Sequence, residues 1–500
     1  MLRVLGILAL VSLALTGCST TESVDPPQDA MSTDTSTRDA DAAVERKEAA
    51  TDVSLGTDTE MGSDDAEPDV GEIDTGFDPD ASYPHFCDLP GSVRYTDNGV
   101  VTVPPATAAS VDLRGFLKLP KGFCVHAFGN VAALAKSRTA GGNVRQLRFS
   151  PSGDLFVASP TAGTTGGGQG GLAAIVVLPD DNHDGLADTA IRFAELLPQT
   201  QGLLFANDHF YYQDGASILR VPYQPGDRKP SGPSELVVST SVYYTSMLHW
   251  PRTLDQADDG TIYVSNGSDQ DEGTYNTALG AYCKKPRTFV GGVLKLDGSP
   301  NGKPVTRGFR NPIAVRCQRG HNVCFASELA KDYSAGEGGR EKLVPIREGD
   351  DWGFPCCATT NVPHTEADPA PDCSYVTPDD VSFLIGDTPF GLDFERGGWP
   401  TPYKGSVFVA LHGDAGFWGG ARVVAVATDP TTGSPKPGTT ADGGMSSGSM
   451  TDFATGWDDA MHTKLHGRPA AIEFAADGRM FVGNDNNGDI FWVAPLDLPR

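Results

Sequence analysis

One short phrase recurs along this chain: a turn carrying Gly or Asp, then a strand in which apolar and aromatic residues predominate. It reads "SPSGDLFVAS" (150–159), "ANDHFYYQDG" (206–215), "ADDGTIYVSNG" (257–267), "RGHNVCFASE" (319–328), "YKGSVFVALHG" (403–413) and "AADGRMFVGND" (475–485). Asp-Gly and Ser-Gly between β-rich runs are hairpin signals. Six copies, about 50 to 80 residues apart, read as six supersecondary units. Each unit would be a small antiparallel sheet that cannot bury its faces alone. Packing the sheets radially solves that problem, so the sequence predicts an all-β chain folded as a six-bladed β-propeller. A pair of β-sandwiches is the competing arrangement, and the regular recurrence disfavours it. Long amphipathic helical stretches are scarce.

A propeller gathers loops from several blades at one end of its central channel. Functional residues should therefore be scattered along the sequence, one or two to a blade. His249, in "SMLHWPRTLDQADDGTIYVSNGS", precedes a repeat strand by about ten residues. It is placed to be a general base, but position alone favours a hydrogen-bonded structural histidine beside Trp250. His412 follows a strand and opens a Gly-rich loop, with the same two readings, and His466 carries a weaker signal. In "VTRGFRNPIAVRC" (305–317), Pro312 pushes Asn311 toward extended geometry, so Arg310 and Asn311 sit at a strand end. The Arg310 guanidinium is a fork suited to an oxyanion or a carboxylate, although a surface arginine there is the plainer reading. "PDDNHDGLAD" (179–188) sets Asp180, Asn182 and Asp184 at alternate positions before Gly185 and Asp188, like the first half of a calcium loop. Ile191 stands where the closing Glu is expected, and a bare Asp/Asn/Gly hairpin fits as well.

The ends of the chain and its charge add context. "MLRVLGILALVSLALTGCST" has a basic start, an apolar run too short to span a bilayer, and a lipobox-like Leu15-Thr16-Gly17-Cys18. Residues 1–17 therefore read as a lipoprotein signal and Cys18 as the lipidated residue. Ser19, where an Asp would resemble an inner-membrane retention signal, directs the expectation to the outer membrane. Residues 18–80 are acidic, Ser/Thr/Ala/Pro-rich and almost without aromatics, and read as a disordered tether. Residues 81–500 are left for the propeller. The formal net charge of −27 excludes nucleic acid as a partner, because phosphate binding needs a basic face. Membrane contact is expected through the lipid anchor only. Setting Cys18 aside, eight cysteines remain, an even number that suits disulfides in an exported protein. Cys317 and Cys324 bracket a hairpin and are paired, Cys373 is expected to meet Cys356 or Cys357, and Cys87 with Cys124 is assumed without a positional argument. No Cys/His zinc spacing is present.

Taken in order, several segments resemble the glucose/sorbosone dehydrogenase family of pyrroloquinoline-quinone (PQQ) dependent propellers, over most of residues 115–495. They are "LPKGFCVHAF", "VRQLRFSPSGDLFVAS", "LHWPRTLDQADDGTIYVSNGS", "TRGFRNPIAV", "GGREKLVPIREGDDWGFPCC", "PFGLDFERGGWPTPYKGSVFVALHG" and "GRPAAIEFAADGRMFVGNDNNGDIFWV". The resemblance implies oxidation of a sugar or related alcohol or aldehyde, with PQQ and calcium as cofactors and an electron acceptor it does not identify. It implies that His249 is the base and that Arg310 holds the quinone oxygen. Asn311, Arg468 and Gln146 become cofactor contacts, and Glu341 is aligned with an acidic residue near the calcium loop. The sequence departs from the family at Asp414-Ala415-Gly416 and at Gly420-Ala421-Arg422, where Arg422 replaces a cofactor-contacting lysine. These departures leave room for a surface propeller that binds carbohydrate or protein without redox chemistry. A calcium-dependent propeller hydrolase is a weaker third reading, for want of acidic ligands facing the channel.

Overall fold

Every recurring phrase needs a residue that tolerates positive φ in its tight turn, and each one has it. Gly153, Gly260, Gly320, Gly405 and Gly478 lie at φ between +69° and +96°, and the copy without a turn glycine uses Asn207 and Asp208 at φ 52° and 56°. Each turn joins the first two strands of one blade. The computed structural model describes residues 82–134, 143–159, 173–197, 199–243, 249–268, 283, 291–331, 339–364, 370–413, 420–440, 446–458, 466–485 and 487–500. The signal segment, Cys18 and nearly all of the acidic tether lie outside these residues.

Blade 1 comprises Gln146–Phe149, Leu155–Ser159, Ala173–Leu178 and Ile191–Leu197, and blade 2 comprises Leu203–Ala206, His209–Asp214, Ser217–Pro222 and Glu235–Ser239. Blade 3 holds Leu254–Gln256, Ile262–Asn266, Gly292–Lys295 and Lys303–Arg307. Blade 4 holds Asn311–Gln318, Val323–Leu329, Glu341–Pro345 and Val381–Phe383, with Gly438–Thr440 and Ser446–Gly448 added at its outer edge. Blade 5 holds Pro389–Phe394, Val407–Leu411, Arg422–Val426 and Met450–Thr455. Blade 6 combines Arg468–Phe474, Met480–Asp485 and Asp489–Pro495 with Phe123–Asn130 from the other end of the chain. Val93–Thr96 and Gly99–Thr102 extend that last sheet, and the helix Ala108–Phe116 packs beside it. The expected six-bladed propeller is therefore present, closed by pairing an early strand with the final one.

The first strand of each blade packs against the first strands of its two neighbours around a common axis. Apolar clusters fill the spaces between sheets, such as Trp399, Phe408, Phe453 and Phe474 between blades 5 and 6. The axis itself is charged. Arg148 of blade 1 donates to the carbonyls of Leu203 in blade 2 and Leu254 in blade 3, both at 3.2 Å. Arg316 of blade 4 donates to Leu392 O in blade 5 at 3.0 Å and Ile472 O in blade 6 at 3.2 Å. Carboxylates complete the circuit. Asp255 accepts from Cys317 N–H at 2.9 Å, Asp393 accepts from Phe474 N–H at 2.8 Å, and Glu473 pairs with Arg316 and lies 3.9 Å from Arg148. Blades 2 and 3 are joined by Gln213, whose Nε2 donates to Trp250 O at 2.7 Å.

All four described disulfides tie loops to this frame: Cys87–Cys124, Cys283–Cys356, Cys317–Cys324 and Cys357–Cys373. Three agree with the expected pairings. Cys283–Cys356 was not anticipated, because its partners are far apart in sequence and belong to different blades.

Breaking a buried ion pair leaves the partner charge unsolvated, at a cost of about 3–5 kcal/mol. Arg316→Met should therefore lower unfolding free energy in urea by about that amount. Arg220→Met, which removes the partly exposed partner of Glu235, should cost less than about 1 kcal/mol.

Candidate active site

In every blade the first strand lines the axis and the second runs back antiparallel to it. Residues just before a first strand and just after a second strand therefore meet at one end of the channel. That topology brings together His249, Arg310, Asn311, Gln146, Arg468, Ser268, His412 and Asp485, which span more than three hundred residues of sequence.

His249 sits in the turn before blade 3 and is 5% exposed. Its Nδ1 donates to the carbonyl of Ser268 at 2.7 Å, which makes Nε2 the basic nitrogen of the neutral ring. The same residue's N–H donates to the carbonyl of Arg310 at 2.8 Å. One residue thus fixes the histidine ring with its carbonyl and the arginine's backbone carbonyl with its N–H. The backbone under His249 is held from below. Arg252, fully buried, donates to His249 O at 3.0 Å and to Pro251 O at 2.9 Å. Gln213 Oε1 accepts from Gln201 N–H and Arg252 N–H, both at 3.0 Å. Gly267 is required by space: a Cβ there would lie 2.4 Å from both His249 Cβ and His249 O.

Arg310 is 6% exposed, and its Nη1 donates to Ala330 O at 3.1 Å. Asn311 opens the first strand of blade 4, and its buried Oδ1 has no hydrogen-bond partner among the described residues. The same holds for Gln146 Oε1 and Gln201 Oε1, whose residues line the axial cavity with Arg145, Thr253 and Phe390. Buried acceptors left unmade are costly in a closed interior. Three of them around one channel mouth, from blades 1, 2 and 4, describe a surface built to receive donors.

The opposite wall belongs to blades 5, 6 and 1. Asp485 accepts from Arg145 Nη2 at 2.9 Å and faces His412 Nε2 at 3.0 Å. His412 stacks on Phe390, with ring centroids 4.6 Å apart, and the Arg145 guanidinium lies 4.9 Å from the same ring's centroid. Arg468 Nη1 donates to Gly413 O at 3.1 Å. Burial pushes the His412 imidazole below its ordinary range; Asp485 opposes that shift, and Arg145 and Arg468 add to it.

Other sequence expectations find different places. Arg422, expected beside the cofactor, is engaged by two aspartates. Its guanidinium makes a buried two-pronged bond with Asp387, at 3.1 and 3.2 Å, and its Nε donates to Asp452 at 3.1 Å, so it braces blade 5. Glu341 accepts from Thr388 N–H and anchors the entry to blade 5. It joins no metal-binding group, and neither does the 179–188 loop: among the described residues no three His, Cys, Asp or Glu side chains converge on a metal position. In that loop Asp184 accepts from Leu186 N–H at 2.8 Å and Asp188 from Asp181 N–H at 2.6 Å, the pattern of a self-capped hairpin. Asp180, pushed up to about 6 by burial, lies in the same turn as Asn182. His466 stacks on Phe116 at 4.4 Å and belongs to the packing of the N-terminal helix. Residues 414–419, where the sequence departs from the family, lie outside the described residues.

Sequence reasoning missed Ser268, Gln201, Arg145 and Asp485. Ser268 acts through its backbone, which no residue type announces, and only the cramped Gly267 before it leaves a trace.

The fold and site together define a six-bladed propeller with a polar, arginine- and amide-lined mouth. Solved structures share that fold. The calcium structure of the Trichoderma reesei Carbohydrate-Active Enzymes Family AA12 protein superposes at a TM-score of 0.58 with 15% identity, covering 76% of this chain and 97% of that one. The holo form of the Pyranose Dehydrogenase PQQ domain from Coprinopsis cinerea superposes at 0.56 with 16% identity, covering 75% and 96%. No family model matches the sequence, and no curated protein matches it.

Two outcomes test this site. Gly267→Ala should push His249 out of place and cost about 1–3 kcal/mol in thermal or urea unfolding, as overpacking does. His412 is held below its unfolded value of about 6.5, so its contribution to stability is full above that pH and declines as pH falls below it. His412→Gln should flatten that decline in stability curves measured from pH 8 to 5.

Proposed function

We propose that this protein is a PQQ-dependent dehydrogenase of a sugar or related alcohol or aldehyde. The observation that carries the reading is Ser268, whose carbonyl holds the His249 ring and whose N–H holds the backbone carbonyl of Arg310, setting an imidazole and a buried arginine at one propeller mouth. The shared fold with a pyranose dehydrogenase PQQ domain supports it.

The residues present fit the cofactor. PQQ bears three carboxylates and a quinone, which suit planar guanidinium forks better than ammonium groups. Arg310, Arg468 and Arg145 supply such forks at the mouth. When bound, PQQ would supply the two-electron acceptor for the substrate's hydride. His249 Nε2 takes the hydroxyl proton of the substrate as general base. Arg310 sets positive charge where negative charge grows in the transition state, and being held by Ala330 O it needs no reorganisation to do so. The unpartnered acceptors of Gln201 and Gln146 suit a ligand rich in hydroxyl donors. The described side chains form no calcium site, so calcium enters no step here and is an added component of the test.

Absorbance titration with PQQ, with and without calcium, should show saturable binding by the purified protein. Reconstituted protein should reduce an artificial dye with aldoses, and His249→Ala should lower kcat by at least about a hundredfold, the contribution expected of a general base. Failure to bind PQQ would leave the non-catalytic carbohydrate- or protein-binding propeller as the reading to pursue. The anchored, exported location is part of the same proposal: Cys18→Ala should move the protein from the membrane fraction to the soluble one.

A further inference from the structure

Behind Arg310 lie two buried charges to which the reading above gives no role. Glu328, on the second strand of blade 4, is 1% exposed, and Lys342, on the third, is 3% exposed. Glu328 Oε1 accepts from the peptide N–H of Arg310 at 3.1 Å. Two residues further on, the carbonyl of Ala330 accepts from the Arg310 guanidinium. The end of one strand thus holds Arg310 at both its backbone and its head group. Glu328 Oε2 faces Lys342 Nζ at 3.7 Å, and that ammonium donates to Trp352 O at 3.3 Å and Ala358 O at 3.5 Å. The carbonyls come from the segment clamped by Cys283–Cys356 and Cys357–Cys373.

The Arg310 N–H needs an acceptor oxygen fixed in one place, and Lys342 holds the carboxyl group that supplies it. Burial pushes the Glu328 carboxyl up, and Lys342 is the strongest group opposing that shift. The Glu328 carboxyl group thus stands between the Arg310 backbone and the Lys342 ammonium. Perturbed buried groups of this kind concentrate at working sites.

We propose that Glu328, held by Lys342, is a positioning residue that fixes Arg310 at the channel mouth for an anionic ligand group. It rests on the reading that Arg310 meets the ligand, and it is tested by two readouts that separate them. The first is hydrogen–deuterium exchange of the peptide spanning 305–317 in the full chain. The second is PQQ affinity by absorbance titration, with kcat and KM for dye reduction. In Glu328→Ala, exchange at Arg310 should quicken by about tenfold or more, PQQ should bind about tenfold more weakly, and kcat should fall with KM within threefold. Glu328→Gln, whose amide oxygen can still accept from the Arg310 N–H, should restore exchange protection and affinity to within about threefold. Lys342→Met should loosen the same peptide in the direction of Glu328→Ala. A cooperatively melting Glu328→Ala protein with wild-type exchange and wild-type affinity would overturn the proposal. So would a Glu328→Gln protein as loosened as Glu328→Ala. Should the wild type bind no PQQ, the functional reading fails, and the exchange measurements alone decide the positioning of Arg310.

Discussion

Two guanidinium groups hold this molecule together at its axis. A ring of blades has no central strand to share, and each sheet meets its neighbours mainly through apolar faces that could slide. Arg148 and Arg316 remove that freedom by donating to the carbonyls of four different blades. Asp255, Asp393 and Glu473 balance their charge and take amides or guanidinium groups from other blades. Buried ions are a poor source of stability but a good source of uniqueness, since only one register satisfies them all. The mouth inherits its geometry from this frame, because its residues begin the same strands a few positions above.

The site uses its backbone as much as its side chains. The His249 ring and the Arg310 backbone are set by one residue, Ser268, the His249 turn by Arg252 and Gln213, and the Arg310 guanidinium by the end of a neighbouring strand. Such a site is only as rigid as the strands that carry it, which suits chemistry whose transition state asks for charge already in place. The opposite wall is built differently, from side chains that interlock: an aspartate between an arginine and a histidine, over one phenylalanine ring.

Much of the fold was legible because one local requirement, a left-handed turn residue before a buried strand, repeats in every blade. Gln146 and Arg468 were legible only through ordered resemblance, which also gave His249, Arg310 and Asn311 their roles, and the structure adds that all five lie at one end of the axis. What escaped did so for physical reasons. Ser268 contributes its peptide, and Glu328 looks like any polar residue at the end of a phrase. Arg422 is the reverse case: its residue type and position suggested a ligand contact, but two aspartates distant in sequence engage it. Arg148 and Arg316 gave no sign either, since an arginine alternating with apolar residues reads as solvent-facing until the strands are wrapped around an axis.

The strand that closes the ring carries a consequence in time. Phe123–Asn130 is made before blade 1, and its partner Asp489–Pro495 is made after blades 1 to 5. The circle therefore stays open until Asp489–Pro495 has been made. Until then Phe123–Asn130 has one edge unpaired, while its other edge pairs with Val93–Thr96 and is stapled by Cys87–Cys124 once that bond has formed. A chain so arranged postpones its own completion, and loss of either strand would leave a gap in the ring.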